Sequence, residues 1–174
     1  FNLKLKLIME FHIIIPARAN SKRLPGKNIK LLSGKPLIQH SIEFALEISK
    51  KNNIWVNSDD LNIIEIAKSL GVQTLIRPDK LSSDFTTTAE VLEHHASHLI
   101  KKVNCDAIIL LQPTNPFRNI NFVNEAIRIF QDSGRESLAT FSSSNRKLGK
   151  IVNNIFEPIN YSFGQRSQDL DSSY

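Results

Sequence analysis

A loop rich in cations follows the first apolar segment of the chain. Between Phe11 and Ile42 the sequence has six Lys or Arg residues and no Asp or Glu. Four of these cations fall within 16–28, together with proline and glycine residues that favour turns. So many guanidinium and ammonium groups predict a site for a multiply charged anion. The alternative is a solvated loop, since the stretch matches neither a P-loop nor a G-x-G-x-x-G fingerprint.

Length and composition predict one ordinary globular domain over residues 1–174. The chain is 41% hydrophobic and 22% charged, with a net charge of +5 that suits a nucleotide, a nucleic acid or a membrane surface. No apolar run approaches the ~20 residues needed to cross a bilayer. Cys105, the one cysteine, cannot form an intrachain disulfide, which favours a cytoplasmic location.

Apolar segments with strand and helix periods alternate along the chain. This order predicts a three-layer α/β/α sandwich around a mostly parallel sheet. Residues 1–10 are expected to be an extension or part of the first strand. The most apolar strand, 106–112, is expected at the centre of the sheet. The predicted strands are 11–15, 53–58, 72–76, 106–112 and 137–141, and the predicted helices are 36–49, 61–71, 87–102 and 121–134.

Ligands of open parallel sheets bind beyond the carboxyl ends of the strands. The cationic stretch 16–28 follows the first strand and therefore falls at this edge. The stretches 58–60, 77–86 and 112–118 follow the next three strands and should lie beside it. The position in the fold thus favours an anion site over a solvated loop.

Five ordered blocks make the chain resemble a known enzyme family. They are "IIPARANSKRLPGKN", "GKPLIQHSIEFAL", "VNSDD", "IRPDKLSSDFTTT" and "LLQPTNPFR", and they are similar to the cytidylyltransferases that activate sialic-acid-type sugars. The resemblance implies a Rossmann-like nucleotide-diphospho-sugar transferase fold. It implies transfer of CMP from CTP to a nine-carbon sugar acid, with Mg²⁺ and release of pyrophosphate. It also implies a homodimer when full length, and a C-terminal part that this chain lacks.

The resemblance also suggests which residues meet the substrates. First-loop residues would bind the nucleotide and its phosphates, with Asn28 near the base and ribose. Arg77 would contact the nucleotide, and Thr88, with Thr86 nearby, would face the pyrimidine. Gln112 would line the cleft between nucleotide and sugar. The phosphate-binding residues implied are Arg18, Ser21, Lys22 and Lys27, of which Arg18 and Lys27 join Gln112 as the catalytic set.

Two departures keep rival functions open. Many relatives have Gly-Gly where this chain has Ala19-Asn20, and "RLPGK" resembles the first loop of enzymes that use the eight-carbon acid Kdo. The rivals are a Kdo-type cytidylyltransferase and a truncated, non-catalytic CTP-binding module. Within the sialic-type branch the sugar is N-acetylneuraminate, legionaminate or pseudaminate. The metal ligands are not predicted.

Several other polar groups have structural interpretations beside functional ones. Asp59 and Asp60 could hold Mg²⁺, but capping of the next helix is favoured. Thr87 and Glu90 have the spacing of a capping box. The pattern H-H-x-x-H at 94–98 lacks a third ligand, so a solvated or half-buried helix face is favoured over a metal site. Trp55 is expected in the core, and too few aromatic residues accompany the cations for a nucleic-acid groove.

Overall fold

Helices and strands alternate through most of the chain, as the apolar patterns predict. The computed structural model describes residues 9–19, 21, 24–83, 85–99, 101, 103–141, 146–163 and 165. Contacts group the chain into two compact units, Phe1–Gln131 and Asp132–Tyr174, and the single domain expected over 1–174 stays a prediction. The elements are β1 (Phe11–Pro16), β2 (Leu31–Leu32), β3 (Lys35–Pro36), α1 (Leu37–Ile48), β4 (Ile54–Ser58), α2 (Leu61–Ser69), β5 (Gln73–Ile76), α3 (Thr88–Leu99), β6 (Ala107–Leu110), α4 (Ile120–Ser133), β7 (Gly149–Val152) and β8 (Ile155–Pro158).

A parallel sheet organises the first unit. Its strand order is β5-β4-β1-β6, and all three neighbouring pairs run parallel. Ile14 lies opposite both Trp55 of β4 and Leu110 of β6. Because the order turns back at β1, the loops after β1 and β6 leave the sheet side by side. This arrangement creates the crevice in which doubly wound sheets bind ligands.

The placement expected for strand 106–112 is wrong within the described sheet. The strand within this range, β6, lies at the edge of the sheet, while β1 and β4 lie inside it. The run is apolar because helices cover both faces of a parallel sheet, so an edge strand is nearly as apolar as a central one. Apolarity alone therefore could not determine its position.

Helices cover the sheet on both faces, which confirms the three-layer α/β/α sandwich. Successive strand residues point to opposite faces. Ile13 and Ile15 pack in one core cluster with side chains of α1 and α2. Ile14 and Trp55 pack in another cluster with Leu99 of α3. Trp55 is buried, as predicted. No helix among the described residues is long and apolar enough to cross a bilayer.

Two short hairpins were not anticipated from the sequence. β2 pairs with β3 and β7 pairs with β8, both antiparallel and each joined by two residues. Ser33 and Gly34 have φ of 50° and 81°, and Asn153 and Asn154 have 49° and 63°. Two consecutive positive φ angles are typical of a type I′ turn, which favours Asn and Gly. The available signals were the dipeptide Ser-Gly after two leucines and the dipeptide Asn-Asn between two apolar pairs.

The strand predicted at 137–141 is wrong. These residues belong to no strand and are exposed. Leu138 and Phe141, its larger apolar side chains, are exposed as well. A strand needs a hydrogen-bonded neighbour, and β propensity mainly measures fit to a packed, pleated surface. No described strand pairs with this segment, so its composition was not sufficient.

Candidate active site

A cleft of about 300 Å³ lies at the carboxyl edge of the sheet. Its walls come from the loops after β1, β5 and β6 and from the start of α3. Seven residues proposed from the sequence lie on these walls: Arg18, Lys27, Asn28, Arg77, Thr86, Thr88 and Gln112. Ser21 is half-buried and is not among the lining residues, and Lys22 lies outside the described residues. The binding roles of all nine residues stay predictions.

Hydrogen bonds between side chains and backbone groups hold the cationic loop against the sheet. The Ala19 N–H donates to Asp59 Oδ1 at 2.9 Å, and Asn28 Nδ2 donates to the Arg18 carbonyl at 3.0 Å. Asn28 is buried, so its amide supports the loop from within. Gly26, at φ +64°, provides the turn before a short 3-10 helix at Lys27–Ile29. These contacts bring Arg18 and Lys27 to the cleft.

Arg77 lines the cleft and is held from behind by the buried Asn57, and we call this pair the floor. Arg77 is only 6% exposed, and Asn57 is fully buried. Arg77 Nε donates to Asn57 Oδ1 at 2.7 Å, and Nη2 donates to the Asn57 carbonyl at 3.1 Å. Burial, with a smaller contribution from the positive charge of Arg18, lowers the pKa of Arg77, while Asp59 raises it. The Arg77 guanidinium is thus a cation that is held in one orientation and is largely shielded from solvent.

Arg18, Lys27, Ser83 and Thr86 form what we call the rim. Arg18 Nη1 donates to the Ser83 carbonyl at 3.3 Å, and the hydroxyls of Ser83 and Thr86 are 2.9 Å apart. Arg18 and Lys27 are partly exposed. The rim therefore presents cations that are better hydrated than the floor guanidinium.

The first turn of α3 contributes a helix N-terminus to the cleft. Thr87 Oγ1 accepts from the Glu90 N–H at 3.2 Å, and Glu90 Oε2 accepts from the Thr87 N–H at 2.6 Å. This confirms the capping box. The backbone N–H of Thr87, with its hydroxyl second, holds the pKa of Glu90 below the usual range. Thr88 is exposed on the cleft wall.

Arg118 holds the loop that carries Gln112, a role that the sequence pattern did not indicate. Its Nη2 donates to the Gln112 carbonyl and its Nη1 to the buried Ser41 hydroxyl at 3.3 Å. Its guanidinium carbon lies 5.8 Å from the Phe44 ring centroid, and burial lowers its pKa. Gln112 itself is exposed on the cleft wall. Arg118 thereby ties this loop to α1.

The acids near the cleft have structural partners. Asp60 accepts from the Asn62 N–H at 2.8 Å and caps α2, as predicted. Asp59 holds Ala19 instead of capping a helix. Within the described ranges no group of three His, Cys, Asp or Glu residues could hold a metal ion. Asp59 and Asp60 thus act as a loop anchor and a helix cap.

Comparison with known proteins identifies the family to which this cleft belongs. A family model described as cytidylyltransferase matches residues 12–156. The chain belongs to the cytidylyltransferase family. That match includes all the cleft residues named above and confirms the resemblance seen in the five blocks.

Relatives within the cytidylyltransferase family act on sugar acids according to their names. The chain is 39% identical over 132 residues to CMP-N,N'-diacetyllegionaminic acid synthase of Legionella pneumophila, covering 73% of this chain and 56% of that protein. It is 32% identical over 160 residues to N-acylneuraminate cytidylyltransferase of Escherichia coli O18:K1:H7, covering 92% and 36%.

A solved structure with the same fold is CMP:2-keto-3-deoxy-manno-octonic acid synthetase complexed with CTP. The TM-score is 0.59 at 29% identity, covering 72% of this chain and 48% of that one. The chain thus spans 36 to 56% of the length of these three relatives.

Proposed function

We propose that the protein transfers CMP from CTP to a sialic-acid-type nine-carbon sugar acid. The observation that carries this proposal is the convergence of Arg18, Lys27 and Arg77 on one cleft at the carboxyl edge of the sheet. Family membership supports cytidylyl transfer. The names of the legionaminic acid and N-acylneuraminate relatives support a nonulosonic acid as acceptor.

Charge is the main obstacle to this reaction. CTP carries about four negative charges and the acceptor carries a carboxylate, so the substrates repel each other. Phosphoryl-type transfer relies on positioning and on electrostatic stabilisation. In our proposal Lys27 and Arg18 bind the phosphates, Arg77 fixes the nucleotide, and Thr86 and Thr88 lie against the pyrimidine.

The bond changes follow from the products. The anomeric hydroxyl oxygen of the sugar acid bonds to the α-phosphorus of CTP, and its proton passes to solvent water. The bond from the α-phosphorus to the bridging oxygen breaks, and pyrophosphate leaves with that electron pair. Gln112, on the cleft wall, orients the sugar. Dependence on Mg²⁺ stays a prediction drawn from the resemblance.

Calorimetric titration with CTP, UTP, ATP and GTP tests the nucleotide part of the proposal. CTP should bind most tightly, and an absence of preference for CTP contradicts the family assignment of the site.

Arg18→Ala and Lys27→Ala should each weaken binding of CTP more than binding of cytidine, because both contact phosphates. Lys68→Ala removes an equal charge from an exposed position of α2 and serves as the control. An equal loss for cytidine and CTP would contradict the phosphate role.

A turnover assay with CTP and a panel of sugar acids tests the acceptor. Sialic-type acids should be preferred over Kdo, and Gln112→Ala should reduce turnover more than CTP affinity. Tight CTP binding without turnover by this 174-residue chain favours a binding module that needs further residues. A homodimeric state and a cytoplasmic location stay predictions for the full protein.

A Kdo-type cytidylyltransferase is the second candidate. The first loop contains "RLPGK", and the CTP-bound octonic acid synthetase has the same fold at 29% identity. The same assay separates the two, because a Kdo-type enzyme would use the eight-carbon acid faster than any nonulosonic acid.

A further inference from the structure

A buried polar chain leads from the cleft into the core beneath α3. It begins at Arg77 on the floor, passes through Asn57 in β4 and ends at His95 in α3. Asn57 and His95 are fully buried and Arg77 is nearly so. The Asn57 Nδ2 to His95 Nδ1 distance is 3.3 Å. Buried polar side chains cost free energy unless they are hydrogen-bonded, so each link of this chain constrains the next.

The directions of these hydrogen bonds can be assigned from chemistry. A guanidinium only donates, so the Asn57 atom facing Arg77 Nε must be its carbonyl oxygen Oδ1. The Asn57 amide nitrogen Nδ2 then faces His95 as a donor. His95 Nδ1 must therefore accept, which requires a neutral imidazole with its proton on Nε2.

The surroundings of His95 maintain that neutral form. Its ring packs edge-to-face on Trp55 with centroids 5.5 Å apart, and it lies two turns beyond Thr88 on the same helix. Burial, followed by the nearby His98, lowers the pKa of His95 to about 4. His95 Nε2 has no hydrogen-bond partner among the described residues. Among the described residues, the hydrogen-bond partner of the His95 imidazole is therefore Asn57.

We propose that His95 is a positioning residue for Arg77, acting through the side-chain amide of Asn57. This inference rests on the proposed function, since it assigns Arg77 to the nucleotide. With an acceptor at His95 Nδ1, the Asn57 amide holds one orientation and its Oδ1 fixes the guanidinium. Without that acceptor Asn57 Nδ2 loses its hydrogen-bond partner, and the side chain can turn so that Oδ1 no longer lies in line with Arg77 Nε. Arg77 then loses its charge-assisted hydrogen bond and its fixed direction.

Two substitutions separate this role from simple packing. His95→Phe keeps the ring and its contact with Trp55 but removes the acceptor. His95→Asn places Oδ1 near the position of Nδ1 and keeps an acceptor, but it leaves a cavity. A positioning role predicts that Phe weakens CTP binding roughly three- to tenfold, the value of one hydrogen bond, while Asn binds nearly as well as the parent. A purely structural role predicts the reverse order, because Asn loses more packing. Leu99→Ala, a core truncation elsewhere on α3, is the control and should leave CTP affinity unchanged at low temperature.

A double-mutant cycle with Arg77→Ala tests whether His95 acts through Arg77. The effect of His95→Phe on CTP affinity should disappear in the Arg77→Ala background. If His95→Phe weakens binding equally in both backgrounds, the inference is wrong.

Hydrogen exchange of the Arg77 Nε–H, followed by NMR without nucleotide, gives a readout independent of the proposed function. It should be slow in the parent and in His95→Asn, and at least severalfold faster in His95→Phe. An unchanged exchange rate together with unchanged CTP affinity in His95→Phe overturns the inference and leaves the proposed function intact. If the parent shows no preference for CTP, the proposed function fails, and the exchange rate alone still decides whether His95 fixes Arg77. If His95→Asn does not fold, the comparison of His95→Phe with the parent decides.

Discussion

The floor and the rim of the cleft present cations in different physical states. On the floor, Arg77 is nearly buried and donates twice to Asn57. On the rim, Arg18 and Lys27 are partly exposed, and Arg18 donates to a loop carbonyl. A buried cation with fixed donors acts in a low dielectric and costs little to reorganise. A hydrated cation on a loop interacts more weakly but can adapt to its ligand.

The difference indicates that the floor is suited to recognition of the ligand and the rim to neutralisation of its charge. The rigid floor suits a part of the ligand with one defined geometry. The adaptable rim suits a triphosphate whose charge moves as pyrophosphate leaves. Substitutions on the floor should therefore affect stability and affinity together, and substitutions on the rim should affect affinity alone.

Asn57→Leu, on the floor, should cause the largest loss of stability. It leaves the Arg77 guanidinium nearly buried without its Oδ1 acceptor and His95 without its donor. The free energy of unfolding should fall by about 4 kcal/mol, measured by urea denaturation. Arg18→Ala on the rim should change it by less than about 0.5 kcal/mol. Equal losses for the two variants would contradict the distinction between floor and rim.

Acid should destabilise the folded state through His95, which lies behind the floor. The folded state depresses the pKa of His95 from 6.5 to about 4, so between these values the unfolded chain binds more protons. The contribution of His95 to stability is complete above pH 6.5 and falls as the pH drops toward 4, by up to about 3 kcal/mol. Urea denaturation across this range should show a shallower fall in His95→Phe. Parallel curves for the two proteins would count against this assignment. The titratable or charged groups that face His95 are His98, His94, His12 and Arg77.

Arginine-to-lysine exchange should separate the two regions by affinity. Lysine keeps the charge but loses the fork, so Arg77→Lys should weaken CTP binding roughly 30-fold, whereas Arg18→Lys should weaken it only about threefold. Calorimetry on both variants measures the difference. Similar losses would mean that charge alone matters at both positions.

Thr87→Ala should have a smaller effect than the floor substitutions. It removes the side-chain half of the capping box at the start of α3 and should cost about 1 kcal/mol of unfolding free energy. Thr87→Ser keeps the hydroxyl and is the matched control. If both variants lose the same stability, the hydroxyl is not the stabilising group.

Local patterns predicted the frame of the site. The alternation of apolar strands and helices placed the cationic loop at the correct edge of the sheet. Thr87, Glu90 and Asp60 were interpreted correctly as caps because capping depends on neighbours within three residues. Gly71 follows α2 at φ +76°, the left-handed backbone typical of a C′ residue.

The floor could not be predicted because its contacts are distant in sequence. Asn57 meets Arg77 through the pairing of β4 with β5, and it meets His95 only once α3 covers that face of the sheet. The pattern H-H-x-x-H predicted a solvated or half-buried helix face, which holds for His94 and His98 but is wrong for His95, which is fully buried against Trp55. The polar Asn57 inside a buried strand was the one signal that pointed to a buried network.

The hydrogen bond from the cationic loop to Asp59 has a consequence for sequence variation. Asp59 holds the backbone N–H of Ala19, a group that every amino acid except proline provides. The hydrogen bond to Asp59 therefore does not depend on the side chain at position 19. Glycine or a larger residue could stand there while the loop stays attached. Proline would release it. Residue 19 can thus vary, proline excepted, without moving Arg18.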